Sequence, residues 1–203
     1  MDGSQNRVVE ETEKTSREGE IVCIGKAVRT ILEKALCPVY IRDAESIRPA
    51  SLWEEADFRV GVYLYDIQDY SLMMTHAVRV DEKQSRPAPK ALELSYMIFC
   101  NEEKRFGGND REKSAAVLNE IIRAVYDNPR FVTEDGKEVQ LSFAKEDMDF
   151  KIKLWGSFNK PLQPAVYVRA VPVLIESDRL HGNVPVKERT YRVNRKAQRE
   201  EPQ

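Results

Sequence analysis

An α+β domain, with a single mixed or antiparallel sheet packed by two main helices, is what this sequence predicts. Three observations lead there. Residues 20–37 and 111–126 repeat apolar side chains at three- and four-residue spacing, the period of a helix face. Residues 58–65, 92–100 and 165–175 have the length and pattern of strands. The elements run helix, strands, helix, strands, and no internal repeat breaks that order.

The first helix starts near Glu20 and carries Ile21, Ile24, Val28, Ile31 and Ala35 on one face, with Ala27 and Leu32 beside them, until Pro38 stops it. Residues 41–57, mixed in character and holding Pro49, read as a loop or an irregular crossing. In Phe58 to Tyr65, Val60, Val62 and Leu64 face one way while Tyr63 and Tyr65 face the other, so this strand is apolar on both sides. It gives way to the polar run Asp66 to Ser71, which is expected to be a corner in which Asp66 and Asp69 bond nearby amides. Residues 72–80 are expected to return as the next strand. The charged stretch 81–89, with two prolines, reads as an exposed loop.

Leu92, Leu94, Tyr96, Ile98 and Cys100 then alternate with Glu93, Ser95, Met97 and Phe99 as in a half-buried strand. "FGGND" makes a turn, and Asn109 with Glu112 has the spacing of a capping box ahead of the helix bearing Leu118, Ile121, Ile122 and Val125. Residues 131–143 predict a short hairpin with Asp135-Gly136 at its turn and Val139, Leu141 and Phe143 on one face. A short helix is expected from about Asp149 to Phe158. The last strand, Ala165 to Ile175, contains Pro172, which has no amide to donate and therefore belongs at an edge or a bulge.

The chain of 203 residues fits one domain with tails. Apolar residues make up 41% and charged residues 33%. The charge concentrates at the ends, which divides the chain into a flexible acidic extension over 1–19, a folded domain over 20–177 and a basic arm over 178–203. A formal charge of −2 argues against nucleic acid or an acidic membrane as the main partner. No apolar run approaches the roughly 20 residues that span a bilayer, and the N-terminus has no signal pattern, so a cytoplasmic protein is expected.

Enzyme signals are weak. Gly107-Gly108 is too short for a phosphate loop, since neither GxGxxG nor GxxxxGK[ST] is present. The two histidines, His76 and His181, sit in different settings, and the three cysteines, Cys23, Cys37 and Cys100, lack metal-site spacing and read as reduced core or near-core residues. Asp66 with Asp69, and Glu146, Asp147 and Asp149, lack the loop spacing of a metal site. No catalytic residue, metal or cofactor is expected. Several strands apolar on both faces have more surface than two helices cover, and the surplus predicts a partner.

Three segments taken in order are "VYLYDIQDY", "PAPKALELSYMIF" and "LWGSFNKPLQPAVYVRAVPVLIES". Together they resemble the cap proteins, or tail terminators, of phage-tail-like contractile injection systems. The resemblance rests on Leu64, Tyr65, Asp66 and Ile67; on Pro87, Pro89, Leu92, Leu94 and Tyr96; and on Leu154, Trp155, Tyr167 and Val168. It covers residues 20–177. It implies a tail-terminator-like fold and a structural, non-catalytic role. The subunit would form a ring with copies of itself, usually a hexamer, on the end of the inner tube protein. It would engage the last ring of sheath protein, stop polymerisation and hold the sheath extended, as part of an assembled phage-tail-like particle.

On this view Tyr63, Tyr65, Asp66, Asp69 and Tyr70 are expected at a ring or tube interface. Lys187, Arg189, Tyr191, Arg192, Val193 and Arg195 are expected to form an extended arm that adds to a sheath subunit. A different reading of the same charged tails is an adaptor that docks cargo or a baseplate component, and stoichiometry separates the two.

Overall fold

The computed structural model describes residues 19–52, 54, 57–71, 76–81, 84–101 and 110–182. Helix α1 spans Glu20–Leu36, α2 Asp110–Asp127 and α3 Met148–Ser157. The strands are β1 (Ile47–Pro49), β2 (Val60–Asp69), β3 (Val78–Arg79), β4 (Gln84–Arg86), β5 (Lys90–Cys100), β6 (Arg130–Val132), β7 (Glu138–Phe143), β8 (Ala165–Ile175) and β9 (His181–Gly182). The main sheet has the order β1-β2-β5-β8-β7-β6. It is mixed: β1 runs parallel to β2 and every other neighbouring pair is antiparallel.

The alternation of side chains along the strands decides what each face carries. On one face Val60, Val62, Leu94, Tyr96, Ile98, Val166, Val168, Ala170 and Val173 meet Ile24, Val28, Leu32 and Leu36 of α1 and Val117, Ile121 and Val125 of α2. This is the two-helix layer that the helical spacing predicts. The α1 helix stops as expected at Cys37, where the amide still reaches Glu33 but Pro38 has none to give.

The opposite face corrects the expectation of a large uncovered surplus. Met97, Phe99 and Tyr167 on it are closed over by Trp155 of α3 and by Ala50, Leu52 and Phe58, with Tyr63, Tyr65, Leu154 and Phe158 packed at the margin. The chain therefore supplies its own third layer from the short helix.

Two strand expectations are also corrected. Asp66 to Asp69 do not turn: β2 runs on through them and pairs with β5 as far as Asp69 opposite Leu92, and Tyr70 still donates its amide to Ala91, at 3.0 Å. Main-chain pairing carries the strand beyond the end of the continuous apolar run. A bulge at Tyr65 makes this possible, because Leu64 faces Tyr96 while Asp66 faces Ser95, so one extra residue is absorbed. The strand beside β2 is therefore β5. Of the expected return strand, residues 72–75 lie outside the described residues, and only Val78–Arg79 is strand, in a separate three-stranded sheet β3-β4-β9. That small sheet takes in Gln84–Arg86, read from sequence as loop, where Asp81 accepts from the Gln84 amide and Arg86 pairs with Glu176 beside the main-chain ladder. The capping residue Asn109 also lies outside the described residues.

Pro172 sits at a bulge, as its missing amide requires: Leu92 faces Val173 and Leu94 faces Ala170, so Val171 and Pro172 together oppose Glu93. The β6–β7 hairpin turns at Gly136, whose φ of +80° lies in the region only glycine enters freely.

Gly61 marks a close approach of the Phe99 ring of β5 to the β2 backbone. It lies directly opposite Phe99, and a Cβ there would stand 2.5 Å from the Phe99 ring and 3.0 Å from Phe58. Gly61→Ala is expected to cost about 1–3 kcal/mol of stability in urea unfolding. The loss should shrink in a Phe99→Leu background, because the ring that the new methyl group meets has gone. Equal losses in both backgrounds would mean that the close approach is not the cause.

Candidate functional site

β2 carries four of the five residues expected at an interface, and Tyr70 follows directly on its end. Tyr63 and Tyr65 point to the α3 side. The Tyr63 ring meets Phe158 edge-on at 5.5 Å, and Tyr65 lies 5.5 Å from Phe150 and 5.9 Å from Tyr167. Each is partly exposed, so part of each ring is committed inside the chain and part remains at the surface. Asp66 turns its carboxylate back on its own strand, accepting from the Ile67 amide at 2.9 Å and from the Gln68 side chain at 2.6 Å. Asp69 receives Lys90 at 2.6 Å with both side chains 59% exposed. Tyr70 is half-buried just past the strand end. The structure thus joins Tyr63 and Tyr65 on one face and sets Asp69 and Tyr70 at the far tip.

A polar network that the sequence reading missed is built around Tyr65. Its hydroxyl donates to Glu146 Oε1 at 2.9 Å. Glu146 is also met by Arg169 of β8 at 3.5 Å, and Arg169 Nε lies 3.2 Å from Glu93 of β5. Four separate segments are tied together by these contacts. One sequence signal pointed to them: Arg169 is a lone charge inside the otherwise apolar run "AVYVRAVPV". Glu146 stands in the sequence only as part of an acidic cluster with Asp147 and Asp149.

Burial first, and then the bond to Glu146 and its charge, push the Tyr65 hydroxyl well above the ordinary tyrosine range. The fold thus favours the protonated phenol. Its contribution is present below the ordinary tyrosine pKa of about 10 and is lost as pH rises above it. Tyr65→Phe is expected to cost about 0.5–1.5 kcal/mol near neutral pH, with a shallower loss of stability above about pH 10 than the parent chain shows. Urea titrations at neutral and alkaline pH measure both; an unchanged alkaline slope would remove Tyr65 from the account.

The outer edge of β2 is the other feature of this region. β1 pairs only with Val60, Val62 and the glycine between them, and the column ends where Ala50 donates to the Val62 carbonyl at 3.3 Å. From Tyr63 to Asp69 no described strand lies on that side. Ile67, on this stretch, is 47% exposed.

The arm residues Lys187, Arg189, Tyr191, Arg192, Val193 and Arg195 lie outside the described residues. Among the described residues no three His, Cys, Asp or Glu side chains are grouped to hold a metal ion. Among them also no helix is long and apolar enough to cross a membrane.

Comparison with known proteins gives a consistent result. The profile of the Pvc16 N-terminal domain family matches residues 24–189. Among solved structures, the fold is similar to the PVC sheath/tube terminator of an extracellular contractile injection system in the extended state. The TM-score is 0.62 and the identity 17%, over 89% of this chain and 65% of that one. It is also similar to the tube-terminating cap of the anti-feeding prophage, with a TM-score of 0.58 and 16% identity over 84% of this chain and 60% of that one. The chain thus spans under two thirds of the length of either structure. No curated protein matches it.

Proposed function

This chain belongs to the Pvc16 N-terminal domain family, and from that premise we propose that it is the cap of a contractile injection system or phage tail. Copies of it form a closed ring, a hexamer, on the end of the inner tube. The ring engages the last ring of the sheath, stops polymerisation and holds the sheath extended. The role is structural, without catalysis or cofactor, and is exercised inside the assembled particle. The observation that carries this reading is the likeness of the described fold, over 89% of the chain, to a sheath/tube terminator.

The parts divide the work. The domain over 20–177 builds the ring through head-to-tail contacts, with two different patches on each subunit. Tyr63, Tyr65, Asp66, Asp69 and Tyr70 supply one of those patches or the tube contact. The arm over 178–203 reaches the sheath, where Lys187, Arg189, Arg192 and Arg195 match acidic surface and Tyr191 and Val193 pack as in an added strand.

Light scattering of the purified protein, with negative-stain images of the same sample, tests the ring. The expected result is a hexameric mass and ring-shaped particles. A chain that stays monomeric even with tube protein added would favour the adaptor reading. Removing residues 183–203 should leave the ring mass unchanged and weaken co-sedimentation with sheath; loss of the ring itself would overturn the role given to the arm.

A further inference from the structure

The open edge of β2 is accompanied by a groove. Between that edge and α1 lies a cavity of about 560 Å³ with an apolar lining that includes Ile21, Val22, Gly25, Val62, Leu64 and Tyr96. Val22 is 50% exposed although it faces this groove. Tyr96 stands opposite Leu64 in the ladder and is 3% exposed, yet its hydroxyl meets no hydrogen-bond partner among the described residues. A buried hydroxyl without a partner is costly and uncommon. The region therefore has the three things that strand addition uses: an open row of main-chain groups, an apolar socket beside it, and a buried polar atom lacking its bond.

We propose that residues 1–18 of this same chain cover the edge, running along β2 past the end of β1 with Val8 or Val9 in the groove and a main-chain group on the Tyr96 hydroxyl. Three facts select this occupant. The segment enters α1 through Gly19, and the first turns of α1 form one wall of the groove, so it reaches the edge without crossing the molecule. Length suffices, because the residues between Val9 and Gly19 extend over about 30 Å and the open stretch of β2 is about 23 Å long. Net charge is mildly complementary: Lys26 and Arg29, the latter paired with Glu33, outnumber Glu54 on the groove wall, and the segment carries Asp2, Glu10, Glu11, Glu13 and Glu18 against Arg7, Lys14 and Arg17.

The cover gives the acidic extension a role, which is to shield an edge that otherwise templates pairing with any passing strand. It acts within one chain and before any assembly.

The test is amide hydrogen exchange on the full chain, diluted until light scattering reads a single subunit. The parent is compared with a Val8→Asp, Val9→Asp variant. The expected result is exchange about ten-fold faster in the variant at Leu64 to Asp69, with Met97 and Ile98 in the sheet centre unchanged. A second readout uses Tyr96→Phe. It should raise the thermal midpoint in the variant, where the hydroxyl is left without a partner, and not in the parent, where the segment supplies one. Unchanged exchange at Leu64 to Asp69 would overturn the proposal. Protection that disappears on dilution would also overturn it, by assigning the edge to a second copy.

Discussion

Replacing Trp155 by alanine is expected to remove about 3–5 kcal/mol of folding stability, a large share of the roughly 5–15 kcal/mol that holds a domain of this kind together. Trp155 is 1% exposed and is the only side chain of α3 that is fully buried. Its ring meets Phe99 edge-on at 6.0 Å, and its Nε1 donates to the Tyr167 hydroxyl at 3.1 Å. The helix has ten residues, too few to persist without packing, although Asp147 caps its start by accepting from the Phe150 amide at 2.7 Å. Taking away the indole therefore opens a cavity and releases α3 together. Trp155→Phe should cost less, since it keeps an aromatic ring against Phe99 while losing part of the volume and the donor to Tyr167. Urea unfolding with amide exchange across α3 measures both variants. A loss below about 1 kcal/mol for alanine would mean that α3 is not what covers this face.

The sequence made some of this legible and hid the rest, and the reasons are physical. Helix α1 could be read because Ile24, Val28 and Leu32 repeat on one face and Pro38 ends it. Trp155 could be placed on a short helix, but neither spacing nor composition says which face of a sheet a helix will cover. The extension of β2 through Asp66 to Asp69 was hidden for another reason. Three of those four residues are polar, and the bonds that keep them in the sheet are main-chain bonds to β5, which have no side-chain signature. β4 escaped in the same way, whereas β1, with the buried Ile47, is too short at three residues to show a period. Pro172 was informative because the ring imposes a constraint on the ladder that holds in any fold. The network of Tyr65, Glu146, Arg169 and Glu93 joins residues far apart in the chain, so it could be seen only once β2, β5 and β8 were side by side.

The neighbours Ile121 and Ile122 on α2 should respond in opposite ways. Ile121 is 0% exposed and sits with Val117 and Val125 in the cluster that includes Val28 of α1, Val139 and Leu141 of β7 and Val168 of β8. Ile122, one step around the helix, is 47% exposed. Ile121→Ala is expected to cost about 2–5 kcal/mol, since the cavity opens where α1, α2 and the sheet meet and none of the three can move in without leaving another. Ile122→Ala should stay within about 0.5 kcal/mol for the isolated chain, because it exposes little that was covered and alanine is the better helix former. Thermal unfolding of both variants as single subunits makes the comparison. The same pair then tests the proposed ring. If the outer face of α2, where Ile122 lies beside the 75% exposed Tyr126, meets a neighbour, Ile122→Ala will weaken assembly while leaving the subunit intact. If assembly is unaffected, that face looks outward and the head-to-tail contacts lie elsewhere on the subunit.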